Sequence, residues 1–256
     1  MDTNIQKVVS AQYDQHGKDW HAQRGSGHEL LEKPAIYSLL PDVTNKRVLC
    51  LGCGYGEECA RIHHLGASKI VGIDLSENNI AEAKEKYRNI DFQVMDMEKL
   101  AFPEASFDIV FSSLALHYLK DWSRVLGEID KVLSPQGIVV LSTHHPAAWS
   151  ALREENETSK RQLLGYELEK SSGQLKFYGD YLNERPITTK FSGKFEATFF
   201  HKTFSGMWRE FSQAGFRVVD CTEPSPIEEA KQRDPQFWEI RSRFPLFILF
   251  RLEKER

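Results

Sequence analysis

The 256-residue chain lacks long hydrophobic runs, blocks of basic residues and internal repeats. Its longest strongly apolar run, FPLFILF, is far shorter than the about 20 residues that a membrane-spanning helix needs. The first residues, MDTNIQKVVS, contain no apolar signal core, so we expect a cytoplasmic protein. The formal net charge of -4 comes without a basic stripe, which disfavours nucleic acid as a partner.

Cysteine is also scarce, yet three of the four cysteines fall in the stretch VLCLGCGYGEEC. In a chain expected in the cytosol they are thiols rather than a disulfide framework. By spacing alone, Cys50, Cys53, Cys59 and His63 offer four zinc ligands, and C-x-x-C also occurs in redox proteins. However, Cys50 lies inside an apolar strand and Cys53 lies between two glycines, so we expect small buried thiols and no metal.

Short apolar runs alternate with amphipathic ones between residues 47 and 143. RVLCL, KIVGID, DFQVMD, FDIVFSS and GIVVLST predict buried strands, while SENNIAEAKEKYRN, opening on Ser76, and DWSRVLGEIDKVLSPQG predict helices. This alternation predicts β-α-β units in an α/β, doubly wound, mostly parallel sheet. Near the C-terminus, TFSGMWREFSQAG predicts a helix, and FRVVDC and FPLFILFRLE predict strands. The last of these is apolar enough to be central.

Three glycines follow the first strand in the pattern G-x-G-x-G, at Gly52, Gly54 and Gly56. A turn without side chains lets a ligand approach the backbone, and the following helix presents unpaired N–H groups. Asp74, at the end of the next strand, can accept hydrogen bonds from both hydroxyls of a ribose. Loop and acid together predict a site for a cofactor that contains a nucleoside.

The residues after this loop indicate which cofactor. A dinucleotide fingerprint has the form G-x-G-x-x-G, whereas here Glu57 occupies the last position and Glu58 follows it. Two carboxylates would repel a pyrophosphate, so a cofactor without phosphates is favoured.

The stretches VLCLGCGYGEECARIHHLGASKIVGIDLSENNIAEAKEKY, FQVMDMEKLAFPEASFDIVFSSLALHYLKDW and VLSPQGIVVLSTHHP together resemble the class I S-adenosylmethionine (SAM)-dependent methyltransferases, in particular their bacterial small-molecule branch. The resemblance implies a Rossmann-like seven-stranded sheet with an antiparallel last strand. It also implies methyl transfer from SAM to a small molecule, with S-adenosylhomocysteine as product.

The resemblance further implies a division of the chain. Residues 1–46 form a helical segment that covers the cofactor site, and residues 47–146 with 203–256 form the SAM-binding core. Residues 147–202 begin polar and become aromatic, which predicts an inserted, antiparallel substrate cap within the same domain.

The resemblance also implies which residues bind the cofactor, at the positions that match the family's motifs. Asp74 would hold the ribose hydroxyls, and Tyr13 and Arg24 would cover the cofactor and take its carboxylate. One departure matters: the family usually has an acid where this chain has Cys50, and that acid helps to hold the methionine amino group. The implied cofactor-binding residues of the core are Gly52, Cys53, Gly54, Asp74, Leu75, Asp96, Met97, Ser112 and Leu114.

Methyl transfer is an in-line displacement, and an oxygen or nitrogen acceptor must also lose a proton. Histidine is the natural base, and four histidines follow predicted strands at the edge where ligands bind in open α/β sheets. We rank His117 and His145 first, with His144 and His201 behind them; for any single one a structural role is the better interpretation, but we expect at least one of the four to act as base or to hold the acceptor.

The expected acceptor is a small, partly apolar molecule. SSLALHY follows the fourth strand where methyltransferases of base or glutamine amines usually carry Asn/Asp-Pro-Pro-aromatic, and no Pro-Cys pair for cytosine methylation occurs. The insertion supplies an aromatic cap, or simply its own packing, with Phe177, Tyr178, Tyr181, Phe191, Phe195, Phe199 and Phe200. Two alternatives remain at this level: a SAM-binding regulatory module without catalysis, which Cys50 favours, and an NAD(P)-dependent oxidoreductase, which Glu57 disfavours.

Overall fold

The computed structural model describes residues 11, 13, 14, 25–155, 160–192 and 195–255. Its centre is a seven-stranded sheet in the order β12-β13-β5-β4-β1-β2-β3. The strands are β1 (Arg47–Leu51), β2 (Lys69–Asp74), β3 (Asp91–Val94), β4 (Phe107–Ser112), β5 (Leu133–His144), β12 (Phe216–Thr222) and β13 (Phe247–Lys254).

The sheet confirms the predicted fold class. Strands β1 to β5 pair in parallel, whereas β13 runs antiparallel to both of its neighbours, β5 and β12. Strand β13 is central as predicted, because its first four residues are buried and both of its edges are paired. Strand β5 starts at Leu133, four residues before the predicted Gly137, because Leu133 already pairs with Phe107 of β4.

Helices cover both faces of this sheet. Helix α4 begins as predicted, because the Ser76 hydroxyl accepts a hydrogen bond from the backbone N–H of Asn79 and so caps its first turn. The helices are α1 (His28–Glu32, π-helical), α2 (Lys33–Ser38), α3 (Glu57–His64), α4 (Glu77–Lys86), α5 (Ser123–Val132), α6 (Pro146–Ser150), α7 (Phe204–Gln213), α8 (Ala230–Arg233) and α9 (Pro235–Arg241).

The alternation of side chains along β1 shows how the two faces are filled. Val48 and Cys50 join an apolar cluster with α2, α3 and α4, whereas Leu49 and Leu51 join a second cluster with α5 and α7. Since both faces are buried, the strand is apolar at successive positions rather than at alternate ones. This double burial holds the carboxyl ends of the parallel strands in place.

The segment between α6 and α7 forms three antiparallel pairs. They are β6 (Leu152–Glu155) with β7 (Lys160–Leu163), β8 (Gly165–Leu168) with β9 (Leu175–Tyr178), and β10 (Arg185–Ser192) with β11 (Phe195–His201). Phe199 of β11 is fully buried, whereas Phe177 of β9 is 66% exposed. Within the ranges that the structure describes, no helix is long and apolar enough to cross a membrane.

Candidate cofactor and active site

The glycine loop links β1 to α3 through three left-handed residues, since φ is +61° at Gly52, +52° at Gly54 and +79° at Gly56. A Cβ atom on Gly52 would lie 2.5 Å from the Cβ atom of Ala115. The turn therefore requires glycine twice over, for its backbone conformation and for the close approach of the segment after β4.

Asp74 is tied to this loop. Its Oδ2 accepts a hydrogen bond from the backbone N–H of Gly54 (2.9 Å), and its Oδ1 accepts one from the N–H of Ser76 (2.9 Å). Burial raises the pKa of Asp74, and the two N–H groups oppose that rise. Oδ1 also accepts a longer hydrogen bond from Nδ2 of Asn79 (3.4 Å), so the carboxylate is oriented in advance, with acceptor capacity left for a ligand.

A cavity of about 360 Å³ opens at the carboxyl ends of the parallel strands. It brings together every cofactor-binding residue predicted in the core except Ser112; the neighbouring Ser113 lines it instead. Tyr13 also lines it, and the Tyr13 and Tyr118 hydroxyls are hydrogen-bonded at 2.8 Å. The predicted Arg24 lies outside the described residues.

Leu114, which lines this cavity, has an unusual backbone. Its φ of +49° is costly for a residue with a γ-branched side chain, and such strain collects at functional sites. The Leu114 N–H donates to the Ser142 hydroxyl (3.0 Å), which in turn donates to Oε1 of Glu32 (2.5 Å). A buried carboxylate therefore helps to hold the strained turn after β4.

The three clustered cysteines are free and buried, and Cys50 and Cys53 line the cavity. Hydrogen bonding to Cys50 and Cys53, together with burial, raises the pKa of the Cys59 thiol well above its usual range. In the described parts of the chain, no group of three or more His, Cys, Asp or Glu side chains is placed to hold a metal ion.

A charged cluster near the glycine loop was not predicted. The His28 Nε2 atom lies 3.6 Å from Oε1 of Glu58 and 3.7 Å from Oε2 of Glu32. Glu58 and His28 line the cavity, and the Glu32 side chain is completely buried. The only signal in the sequence is the i, i+4 spacing of His28 and Glu32, which is common on exposed helices and does not indicate burial.

Another part of the cavity wall is aromatic. The rings of His117, His144 and Trp149, here called the histidine stack, lie nearly parallel, with centroid distances of 3.8 Å and 4.1 Å. Phe199 contacts His144 and Trp149 edge-on, each at 4.5 Å. His117, His144 and Trp149 all line the cavity, so the structure adds Trp149 to the residues found from the sequence.

The other two ranked histidines lie elsewhere. His145 caps α6 by accepting the N–H of Ala147, and its Nε2 lies 2.7 Å from Oε1 of Glu223. His201 Nε2 lies 2.8 Å from the carbonyl oxygen of Tyr181. Neither is among the residues that line the cavity, whereas His144, ranked lower from the sequence, is.

Burial keeps the stacked imidazoles neutral. It lowers the pKa of His117 to about 3 and that of His144 well below its usual value. In the described parts of the chain, Nδ1 of each ring has no hydrogen-bond partner. A protonated imidazole here would therefore bring a charge into an apolar setting.

This burial predicts how stability depends on pH. Between about pH 6.5 and pH 3 the unfolded chain binds a proton at His117 that the folded chain does not. The free energy of unfolding should therefore decrease as the pH falls through this window, by at most about 1.4 kcal/mol per pH unit for each such imidazole. Urea unfolding at pH 7.5 and 5.5 measures the decrease, and His117→Phe should reduce it. His64→Phe, at an exposed position of α3, is the control; equal slopes for all three proteins would contradict the prediction.

The residues of the cavity fit SAM. The glycine turn leaves space that a side chain would fill, and Asp74 presents an oriented carboxylate beside it. Leu75, Asp96 and Met97 line the same cavity near Asp74, where an adenine would follow the ribose. Glu58 places a carboxylate near the glycine turn, which disfavours a pyrophosphate there, in line with the sequence argument against NAD(P).

Comparison with known proteins agrees with this fit. A family model described as a methyltransferase domain matches residues 49–141. The crystal structure of an S-adenosylmethionine dependent methyltransferase from Mesorhizobium loti is 31% identical in sequence and superposes with a TM-score of 0.71. The match covers 87% of this chain and 97% of that chain.

Two curated relatives match part of the chain. Malonyl-[acyl-carrier protein] O-methyltransferase from Legionella pneumophila is 28% identical over 164 residues, which are 59% of this chain and 56% of that enzyme. Ubiquinone biosynthesis O-methyltransferase from a Bradyrhizobium strain is 39% identical over 101 residues, which are 38% of this chain and 39% of that enzyme. The chain thus matches about half of the first relative's length and well under half of the second's.

The predicted motifs, the sheet topology and the whole-length structural match lead to one conclusion. The chain belongs to the class I S-adenosylmethionine-dependent methyltransferases and is an enzyme of that family.

Proposed function

We propose that this enzyme transfers a methyl group from SAM to a planar small molecule that binds against the histidine stack. The observation that carries the proposal is the cavity itself. It extends from the glycine loop and Asp74 to His117, His144 and Trp149, so that cofactor and acceptor would share one space.

The cofactor half would be held by the residues already described. Asp74 would accept hydrogen bonds from the ribose hydroxyls, Asp96 and Met97 would recognise the adenine edge, and Gly52 would let the methionine part lie against the backbone. Bound there, SAM supplies a methyl group activated by its sulfonium. The protein's contribution is then to align the acceptor with that methyl group and to exclude water.

The acceptor half favours a flat molecule. Aromatic rings prefer offset-stacked or edge-on contacts, and the stack already combines both, with Phe199 edge-on to His144 and Trp149. Residues 147–202 would act as the cap, since Phe199 of β11 supports the stack from that segment. Phe177 is 66% exposed, so we do not include it in the proposed acceptor site.

Because the two imidazoles are neutral, the acidity of the acceptor affects whether it can be methylated here. His117, with its pKa lowered to about 3, is a weak base on its own. An acidic hydroxyl, such as a phenol or enol, would lose its proton more readily than an alcohol. As negative charge develops on its oxygen, that charge would raise the pKa of a neighbouring imidazole and favour the proton transfer. The two curated relatives named above are O-methyltransferases, which supports testing acceptors with a reactive oxygen first.

The test is a screen for S-adenosylhomocysteine release with a panel of planar phenols, enols and N-heterocycles, followed by His117→Phe and His144→Phe with the best acceptor. We expect each variant to lower kcat/KM for the acceptor more than tenfold while S-adenosylhomocysteine binds as in the wild type. His64→Phe serves as the control. The acceptor site would be wrong if both stack variants kept wild-type turnover, or if only non-planar molecules were methylated.

A further inference from the structure

The amino-acid end of SAM poses a separate binding problem. Its α-ammonium group is a full positive charge, and a charge removed from water must be paired. Strand β1 presents Cys50 to the cavity at this end, beside the glycine loop. A thiol lacks the fixed negative charge of a carboxylate, so another side chain must pair with the ammonium.

Glu58 is placed to do so. It lies in the first turn of α3, directly after the glycine loop, and lines the cavity together with Cys50 and Gly52. The residue is only 7% exposed. Its neighbour Glu57 points elsewhere, since its carboxylate lies 3.3 Å from Nζ of Lys86 and 3.9 Å from Nζ of Lys33. Of these adjacent acids, only Glu58 lines the cavity.

Two further titratable side chains lie near this carboxylate. The His28 imidazole lies between Glu58 and Glu32, at 3.6 Å and 3.7 Å, both longer than an ordinary hydrogen bond. Glu32 is itself fixed, because its Oε1 accepts the hydroxyls of Ser113 (2.9 Å) and Ser142 (2.5 Å). The Nδ1 atom of His28 lies 3.2 Å from Oε1 of Glu29, so three carboxylates lie within 4 Å of this imidazole.

The Glu58 carboxylate also acts on a neighbouring hydroxyl group. Burial, and after it the charge of Glu58, raises the pKa of the Tyr37 hydroxyl well above its usual range. Glutamate in the first turn of a helix is also favoured by the helix dipole, but that effect does not require burial against a cavity. The helix dipole alone therefore does not account for the position of Glu58 beside the cavity.

We propose that Glu58, which lies near His28 and Glu32, binds the α-ammonium group of SAM and replaces the carboxylate that the family usually carries at the position of Cys50. The proposal rests on SAM binding in this cavity. A residue of α3 would thus bind the ammonium group that a residue of the first strand usually binds in this family.

Calorimetry with two ligands isolates this contact. S-adenosylhomocysteine carries the ammonium, whereas 5′-methylthioadenosine has the same nucleoside without the amino-acid part. We expect Glu58→Gln to weaken binding of S-adenosylhomocysteine about 10- to 100-fold, the range of a lost charge-assisted contact, and to leave 5′-methylthioadenosine within about twofold. Glu57→Gln, the adjacent control, should bind both ligands as the wild type does.

A rescue variant tests the replacement itself. Adding Cys50→Asp to Glu58→Gln should restore most of the lost affinity for S-adenosylhomocysteine, because a carboxylate returns to the same end of the cavity. Equal weakening of both ligands by Glu58→Gln, or no weakening of either, would overturn the proposal, as would a double variant no tighter than Glu58→Gln alone. A wild-type protein that binds neither ligand would instead overturn the SAM site as a whole.

Discussion

Replacing Asp74 with alanine should weaken binding of SAM and of S-adenosylhomocysteine by about 1–3 kcal/mol, which is about 5- to 150-fold in Kd. The carboxylate is oriented by the N–H groups of Gly54 and Ser76, so its remaining lone pairs meet the ribose hydroxyls without further adjustment. Hydrogen bonds from a ligand to a charged acceptor are among the strongest that a neutral hydroxyl can make. Isothermal titration calorimetry measures the loss directly.

The same substitution also leaves two backbone N–H groups without their acceptor, so its effect on the fold must be separated from its effect on the ligand. Asp74→Asn retains an oxygen of similar position and should bind the cofactor with intermediate affinity. Asp91→Ala, at an exposed position at the start of β3, should match the wild type. Unchanged affinity in Asp74→Ala with an unchanged melting temperature would exclude Asp74 from the site.

Gly52→Ala should damage both the fold and the site. The new Cβ atom would lie 2.5 Å from the Cβ atom of Ala115. In addition, φ at Gly52 is +61°, a conformation that alanine rarely adopts. Strain of this kind costs about 1–3 kcal/mol, and relief requires the loop to move relative to the segment after β4. We expect a lower melting temperature and at least a tenfold weaker Kd for S-adenosylhomocysteine.

Two further variants separate the effect of the contact with Ala115 from the effect of the backbone strain. Gly127→Ala, in α5 with no atom within 4 Å of its added Cβ, should instead stabilise the protein by about 0.5–1 kcal/mol. Combining Gly52→Ala with Ala115→Gly removes the contact but not the backbone strain, and should recover part of both properties. Wild-type stability and affinity in Gly52→Ala would show that the loop does not need its glycine.

Much of the core could be predicted because its signals are local. Each strand of the parallel sheet is a short apolar run, and each crossover helix has an apolar face and a recognisable end, as at Ser76. The glycine loop and Asp74 were predictable for the same reason. A left-handed turn needs glycine, and the ends of adjacent parallel strands meet at one edge of the sheet.

The histidines show the limit of such reasoning. His144 and His145 are adjacent in sequence at the end of β5, and pattern alone could not say which one faces the cavity. The β5 register and the start of α6 place His144 in the histidine stack and turn His145 to cap the helix and contact Glu223. A one-residue difference reverses the side of a strand on which a side chain lies.

The sequence by itself determined the family and the sheet and predicted the glycine loop beside Asp74, because these depend on residue patterns within single elements or at adjacent strand ends. Only the tertiary structure revealed two further parts of the cavity wall. It joined Glu58 to His28 and Glu32, and Trp149 to His117, through contacts between distant segments. Burial and charge pairing at such contacts are set by packing across the whole chain, which local sequence spacing does not encode.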